Sequence, residues 1–283
     1  MPAPDAILVN GRALREVSAL DRGLHYGDGL FETIACTAGH ARLLELHLER
    51  LGEGCRRLGI AISDTALLRG EVAALAAHAP RAVVKLLLTR GNALARGYAV
   101  SGAETANRIL LRFPWPAEDP QLAREGVRVR TATTCLAENP ALAGIKHCNR
   151  LEQVLARREW TDATIADSLM YTSGGTLVSG TMTNVFTVRN SLLQTPRVDR
   201  CGVAGVMRRA VLQVAAATGI AAQECTLHAA DVESAEELFV TNALIGIQPV
   251  RELDGASRVP GPVTRALQAG LRRLFHEDAA RGG

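Results

Sequence analysis

Ala143-Gly144-Ile145-Lys146-His147-Cys148-Asn149-Arg150-Leu151-Glu152-Gln153-Val154-Leu155 is the stretch around which the chain is organised. Lys146 is one of only two lysines among 32 Lys and Arg residues. The other, Lys85, lies inside the apolar run Val83-Val84-Lys85-Leu86-Leu87-Leu88. A chain so rich in arginine does not need lysine for surface charge. An arginine stays protonated, whereas a lysine amine can lose its proton, attack a carbonyl and form a Schiff base. Lys146 is therefore either an ordinary surface or ion-pair lysine, or a residue kept for its nucleophilic amine.

Composition narrows the class. At 283 residues the chain suits one large or two modest domains. With 47% hydrophobic and 22% charged residues it reads as a soluble globular protein with a substantial core. The net charge of +3 is small, and the basic residues are scattered, which argues against a nucleic-acid partner. Arginines in a cleft suit an acidic small molecule. None of the six cysteines forms a Cys-x-x-Cys pair, and His147-Cys148 lacks zinc-ligand spacing, so no metal site is expected. No basic region followed by an apolar core opens the chain, and no run approaches the ~20 apolar residues of a membrane span. A cytoplasmic protein with free thiols and no membrane partner is expected.

The N-terminal part reads as alternating strands and helices. Ala6 to Val9 suggests a strand, Asn10-Gly11 a hairpin turn, and Arg12 to Val17 its return. Asp21 to Thr33 carries Gly23, Gly27 and Gly29 and reads by itself as an irregular loop passing into a strand over Phe31 to Cys36. Leu44, Leu48, Leu51, Cys55 and Leu58 predict a helix from Leu44 to Leu58, on which Arg50 could be simply solvated. A second helix is expected over Thr65 to His78, then strands over Arg81 to Thr89 and Arg108 to Phe113. A glycine-containing loop between them carries Arg96. Three prolines in Pro114 to Pro120 mark a linker.

Beyond the linker, Gly126 to Thr134 alternates as a half-exposed strand, and Leu151 to Trp160 reads as a helix. Short strands follow at Asp167 to Thr172, Thr176 to Ser179, Asn184 to Val188 and Gln194 to Arg197. Gly202 to Arg208 is a glycine-containing turn opening a helix to about Thr218. Such a turn aims free backbone N–H groups at an anion, although most serve only as caps. Glu237 to Thr241 is a strand with a turn at Asn242 to Gly246. Pro262 to Phe275 is a terminal helix, with the last residues frayed.

The form Lys146-His147-x-Asn149-Arg150-Leu151-Glu152-Gln153-Val154 resembles the lysine motif of the fold type IV pyridoxal-phosphate enzymes, and most closely that of their aminodeoxychorismate lyases. The family also holds branched-chain and D-amino-acid aminotransferases. Several motifs follow in the family's order from about Asn10 to Pro249. The resemblance implies an α/β (α+β) homodimer: a small N-terminal domain (1–114), a linker (115–125) and a larger, barrel-like C-terminal domain (126–283) that binds pyridoxal 5'-phosphate. It makes Lys146 the catalytic residue and Schiff-base lysine, with a phosphate cradle from Arg50, the backbone of Val206 and Met207, Thr241 and Asn242. Tyr26 lies in a segment that shapes the family's active-site wall. Arg96 and Arg150 are candidates for substrate carboxylates, Arg96 being almost as readily a surface arginine.

At one position the chain departs from that pattern. The family's Glu-Gly-x-x-x-Asn reads here Ser179-Gly180-Thr181-Met182-Thr183-Asn184. A carboxylate keeps the pyridine nitrogen protonated, whereas a serine hydroxyl would bond a neutral nitrogen and weaken the electron sink. An elimination that ends in an aromatic ring has its own driving force, so Ser179 favours a lyase over an aminotransferase. Three functions follow in order: a lyase giving 4-aminobenzoate and pyruvate from an acidic, amino-bearing small molecule; an aminotransferase of D- or branched-chain amino acids; and a cofactor-binding scaffold without turnover.

Overall fold

Strand β1 (Ala6–Val9) leads into the Asn10-Gly11 turn, whose φ values of 51° and 77° are those of a hairpin turn closed by a Val9–Arg12 bridge. The expected return strand is absent: Arg12 to Val17 is exposed and forms no ladder beyond that bridge. The partner of β1 is instead β5 (Asn107–Pro114), paired from Ala6–Arg112 to Val9–Ile109. The structure, a computed structural model, describes residues 3–62, 64–77, 79–117 and 119–281. His78, the expected end of the second helix, and Glu118, in the expected linker, lie outside them.

The chain divides into two units, Met1–Ala117 with Ile145–Asn149 and Asp278–Gly283, and Glu118–Gly144 with Arg150–Glu277. In the first, β2 (Gly29–Thr37), β3 (His40–Ala41) and β4 (Arg81–Thr89) join β1 and β5 in an antiparallel sheet of order β1-β5-β4-β2-β3. A short helix α1 (Arg22–Tyr26) precedes β2. Helices α2 (Leu44–Leu58) and α3 (Thr65–Ala76) pack on β2 and β4. Strand periodicity sends Leu30, Ile34 and Cys36 into that core, with Leu48, Leu51 and Cys55 of α2 and Leu68, Val72 and Leu75 of α3. Glu32 takes the same inward face.

The second unit is built on a nine-stranded mixed sheet. It contains β6 (Val127–Thr131), β7 (Ile165–Tyr171), β8 (Leu177–Gly180), β9 (Asn184–Arg189), β10 (Leu192–Pro196), β11 (Ala222–Cys225), β12 (Glu237–Asn242), β13 (Gly246–Leu253) and β14 (Ala256–Ser257). The order is β11-β10-β9-β12-β13-β6-β7-β8, with β14 beside β13. The sheet curls, so that terminal β8 also contacts β9 and β10. Val127, Val129, Leu169, Leu177, Val185, Val240 and Val250 share one core. Around it lie α4 (Pro120–Glu125), α5 (Leu151–Arg157), α6 (Val206–Ala217), α7 (Ala229–Glu233) and α8 (Pro262–Arg281). Helix α8 outruns its expected end at Phe275. Asp278, beyond that end, accepts a 2.7 Å hydrogen bond from the Leu43 N–H. No helix among the described residues is long and apolar enough to cross a membrane.

Candidate functional site

In the first unit, the lysine-bearing segment is held as a short strand beside β2. The Phe31 N–H donates to the Lys146 carbonyl and the Cys148 N–H to the Gly29 carbonyl, each at 2.9 Å, around an antiparallel Leu30–His147 bridge. That register puts Lys146 opposite Phe31 and on the same face of the sheet. Its Nζ lies 4.3 Å from the centre of the Phe31 ring. Half-buried Lys146 thus lies against an apolar ring face.

The glycine-rich segment before β2 is more ordered than its composition suggests. Asp21 caps α1 through the Gly23 and Leu24 N–H groups and accepts 2.7 Å bonds from Thr89 Oγ1 and Asn107 Nδ2. Gly27 ends α1 at φ 64°, and a side chain there would come 2.6 Å from Asn149 Oδ1. Only glycine lets the loop pack against the lysine segment. Asp28 pairs with Arg22 at 2.9 Å and Arg90 at 2.7 Å. Burial tends to raise its pKa, but these two arginines outweigh it and lower it. Arg22 also donates to the carbonyls of Gly97, Tyr98 and Ala99, bracing the loop that carries the exposed Arg96. Tyr26 packs edge-on to Tyr98 at 5.2 Å.

Behind β2 lies a charged cluster. Glu32, 1% exposed, accepts from His47 Nδ1 at 2.6 Å and from Arg50 Nε at 2.9 Å, with a second short contact to Arg50 Nη2. His47 and Arg50 are three apart on α2, so both reach the same strand. The fork fixes the plane of the Arg50 guanidinium, which is 12% exposed. Burial works to raise the Glu32 pKa, yet the Arg50 charge and the bonds from His47 and Arg50 hold it at about 2. His47 is lowered, first by burial and further by the Arg50 and Lys146 charges, against the pull of Glu32.

The second unit assembles the remaining positions. Asp167 of β7, 1% exposed, accepts from the Thr181 N–H at 3.0 Å, from Thr181 Oγ1 and from Thr183 Oγ1 at 2.7 Å. This shapes the turn from β8 to β9. A Cβ on Gly180 would meet Thr183 Oγ1 at 2.2 Å and Asp167 Oδ2 at 2.4 Å. Ser179, buried at the end of β8, donates its hydroxyl to the Gly180 carbonyl at 2.8 Å and keeps acceptor lone pairs.

On β9, Asn184 donates from Nδ2 to the Val203 carbonyl at 2.9 Å, and its Oδ1 would lie 1.9 Å from a Cβ on Gly205. Gly205 is the N-cap of α6, where no side chain caps the helix. The N–H groups of Val206 and Met207 are thus presented at the positive end of a twelve-residue helix. Thr241 of β12 pairs with Asn184 and donates to the Gly246 carbonyl at 2.5 Å. Asn242 accepts from the Leu244 and Ile245 N–H groups and donates to the Met182 carbonyl at 3.4 Å. Arg150 heads α5 in this unit.

Lys146, Arg50, Tyr26 and Arg96 therefore belong to the first unit; Ser179, Val206, Met207, Thr241, Asn242 and Arg150 belong to the second. The structure adds Glu32, His47 and Asp167, which sequence motifs do not mark. Their signal was a charged or polar side chain at an inward position of an apolar strand or helix. No cluster of His, Cys, Asp and Glu suited to a metal is present among the described residues.

A family model described as Amino-transferase class IV matches residues 29–253. A solved 4-amino-4-deoxychorismate lyase from Pseudomonas aeruginosa is 47% identical, with a TM-score of 0.91 over 94% of this chain and 98% of that one. The aminodeoxychorismate lyase of Vibrio harveyi is 32% identical over 93% of this chain and 98% of its own length. A putative branched-chain-amino-acid aminotransferase of Methanocaldococcus jannaschii is 31% identical over 93% of each chain.

Proposed function

The chain belongs to the class IV aminotransferase family, and from that premise we propose that it is a pyridoxal-phosphate-dependent lyase converting 4-amino-4-deoxychorismate into 4-aminobenzoate and pyruvate, a step of folate synthesis. The observation that carries this reading is the Lys146 amine held over Phe31 by the β2 ladder, in a chain similar throughout to the two lyases.

The residues fit the cofactor. Lys146 offers an amine for its aldehyde. The uncapped first turn of α6, with Val206 and Met207, offers N–H donors for its phosphate, and Gly205 leaves the approach clear. Arg50 is the cation assigned to the same anion, and Thr241 and Asn242 order the turn assigned beside it. Ser179 is assigned to the pyridine nitrogen, a role in which its hydroxyl would turn from the Gly180 carbonyl to donate to that nitrogen. When bound, pyridoxal phosphate supplies an electron sink conjugated to the substrate amine.

Lys146 is the general base and then the acid. Its neutral amine takes the proton from the ring carbon bearing the substrate nitrogen. The bond from the ring to the enolpyruvyl oxygen breaks, the ring becomes aromatic, and a proton returned to the departing methylene carbon completes pyruvate. No oxidant or reductant is needed. Ser179 brings no carboxylate, so the sink is weaker than in the family's usual pattern, and aromatisation supplies the missing drive. Tyr26, Arg96 and Arg150 are assigned to the substrate.

Purified, loaded protein incubated with 4-amino-4-deoxychorismate is expected to release 4-aminobenzoate; loaded protein that yields none sinks the reading. Similarity to the Methanocaldococcus protein favours an aminotransferase as the second reading. Loss of cofactor absorbance on adding D-alanine or leucine alone would support it. We also infer a homodimer, supported by the exposed Leu20, Leu24, Leu94 and Tyr98 on α1 and the segments beside it, Tyr98 being 83% exposed. Light scattering tests it. The free cysteines suit a reducing compartment such as the cytoplasm.

A further inference from the structure

The two lysines of this chain project toward one aromatic ring. Lys146 Nζ lies 4.3 Å and Lys85 Nζ 5.4 Å from the centre of the Phe31 ring. The register explains why. Lys85 on β4 stands opposite Thr33 of β2 and Leu111 of β5, and Thr33 shares its face with Phe31. Lys146 reaches the same face through its place beside β2. The two side-chain nitrogens are therefore closer than the screening length of ~10 Å at 0.1 M salt.

Lys85 is half-buried in an apolar strand. Its cross-strand neighbours are a threonine and a leucine, and among the described residues its side-chain nitrogen makes no ion pair or hydrogen bond. A partly desolvated cation beside apolar side chains calls for an anion. The mechanism above gives Lys85 no task.

We propose that Lys85 receives one of the two carboxylates of the substrate, and so selects a dicarboxylate over an ordinary amino acid. This rests on the lyase reading. A lysine ammonium is a compact point charge suited to a single carboxylate oxygen. Its place on the Phe31 face puts that charge beside the Lys146 amine, where the ring carbon bearing the substrate nitrogen must come. One carboxylate stays on 4-aminobenzoate and the other leaves in pyruvate, so product inhibition tells which one Lys85 holds.

The test compares the cofactor-loaded wild type with Lys85→Met and Lys85→Arg. Methionine suits an apolar strand, and cofactor absorbance together with borohydride fixation at Lys146 verifies that each variant is folded and loaded. For Lys85→Met we expect KM for 4-amino-4-deoxychorismate to rise about 10- to 100-fold, the range for losing a hydrogen bond to a charged group. Inhibition by chorismate, a dicarboxylate without the amine, and by either 4-aminobenzoate or pyruvate should weaken by a similar factor. Lys85→Arg should recover most of it. An active wild type whose Lys85→Met variant keeps KM and all three inhibition constants overturns the assignment alone, whether or not its pH profile moves. A loaded but inactive wild type overturns the lyase reading and the assignment with it.

Discussion

Replacing Glu32 by glutamine tests whether the buried cluster behind β2 is a charged one. Glu32 sits between His47 and Arg50 with 1% of its side chain exposed. Burial alone would raise its pKa, but the Arg50 charge and the hydrogen bonds from His47 and Arg50 bring it from 4.5 to about 2. A carboxyl depressed in the fold contributes stability that is full above 4.5 and is lost as pH falls toward 2. At 1.36 kcal/mol for each pH unit, that contribution is on the order of 3 kcal/mol at neutral pH, with about 2 kcal/mol gone by pH 3. His47, lowered first by burial, acts in the same direction: below 6.5 the unfolded chain takes up its proton first. Glutamine keeps the shape but removes the anion that faces the Arg50 guanidinium. Urea unfolding of the loaded protein at fixed concentration should show a loss of about 3 kcal/mol at pH 7, in the range for breaking a buried pair, with unchanged m. The gap between wild type and variant should narrow between pH 5 and pH 3. Equal urea midpoints at pH 7, or parallel profiles down to pH 3, would refute the assignment of a buried anion.

Three further outcomes are expected. Gly205→Ala sets a methyl group 1.9 Å from Asn184 Oδ1 and disturbs the first turn of α6; cofactor affinity, followed by fluorescence titration, should fall at least about tenfold. Asp167→Asn halves the acceptors that hold Thr181 and Thr183 and should destabilise the protein by about 1–3 kcal/mol in urea, with wild-type stability counting against that role. Ser179→Glu restores the family's carboxylate. It should raise the rate at which D-alanine or leucine bleaches the cofactor absorbance relative to lyase turnover, whereas an unchanged ratio would show that the pyridine partner does not set the reaction type.

Regular apolar periodicity makes some elements legible. Leu44–Leu58 and Arg81–Thr89 have the bounds expected from their apolar spacing, because each buries one continuous face. Gly246–Leu253 forms a strand beyond the turn expected at Asn242 to Gly246, with Pro249 paired to Phe239 near the middle of the larger sheet. Ala222–Cys225 is polar and mostly exposed, and only its parallel pairing with β10 makes it a strand. The Asn10-Gly11 turn suggested a full hairpin that non-local pairing with β5 replaced. At the candidate site, Lys146 was legible because lysine is rare here. Glu32 and Asp167 were not, because their roles depend on partners 15 to 18 residues away for Glu32 and 14 to 16 for Asp167. Lys85 was visible as an oddity, but only strand register shows that it shares a face with Lys146.

Borohydride reduction of the loaded protein, followed by peptide mass mapping, bears most directly on the claim that the Lys146 amine carries the cofactor. The account predicts a phosphopyridoxyl mass on the peptide containing Lys146, absent from Lys146→Ala. A modified peptide carrying Lys85 instead, or a protein that binds the cofactor with neither lysine modified, would contradict it.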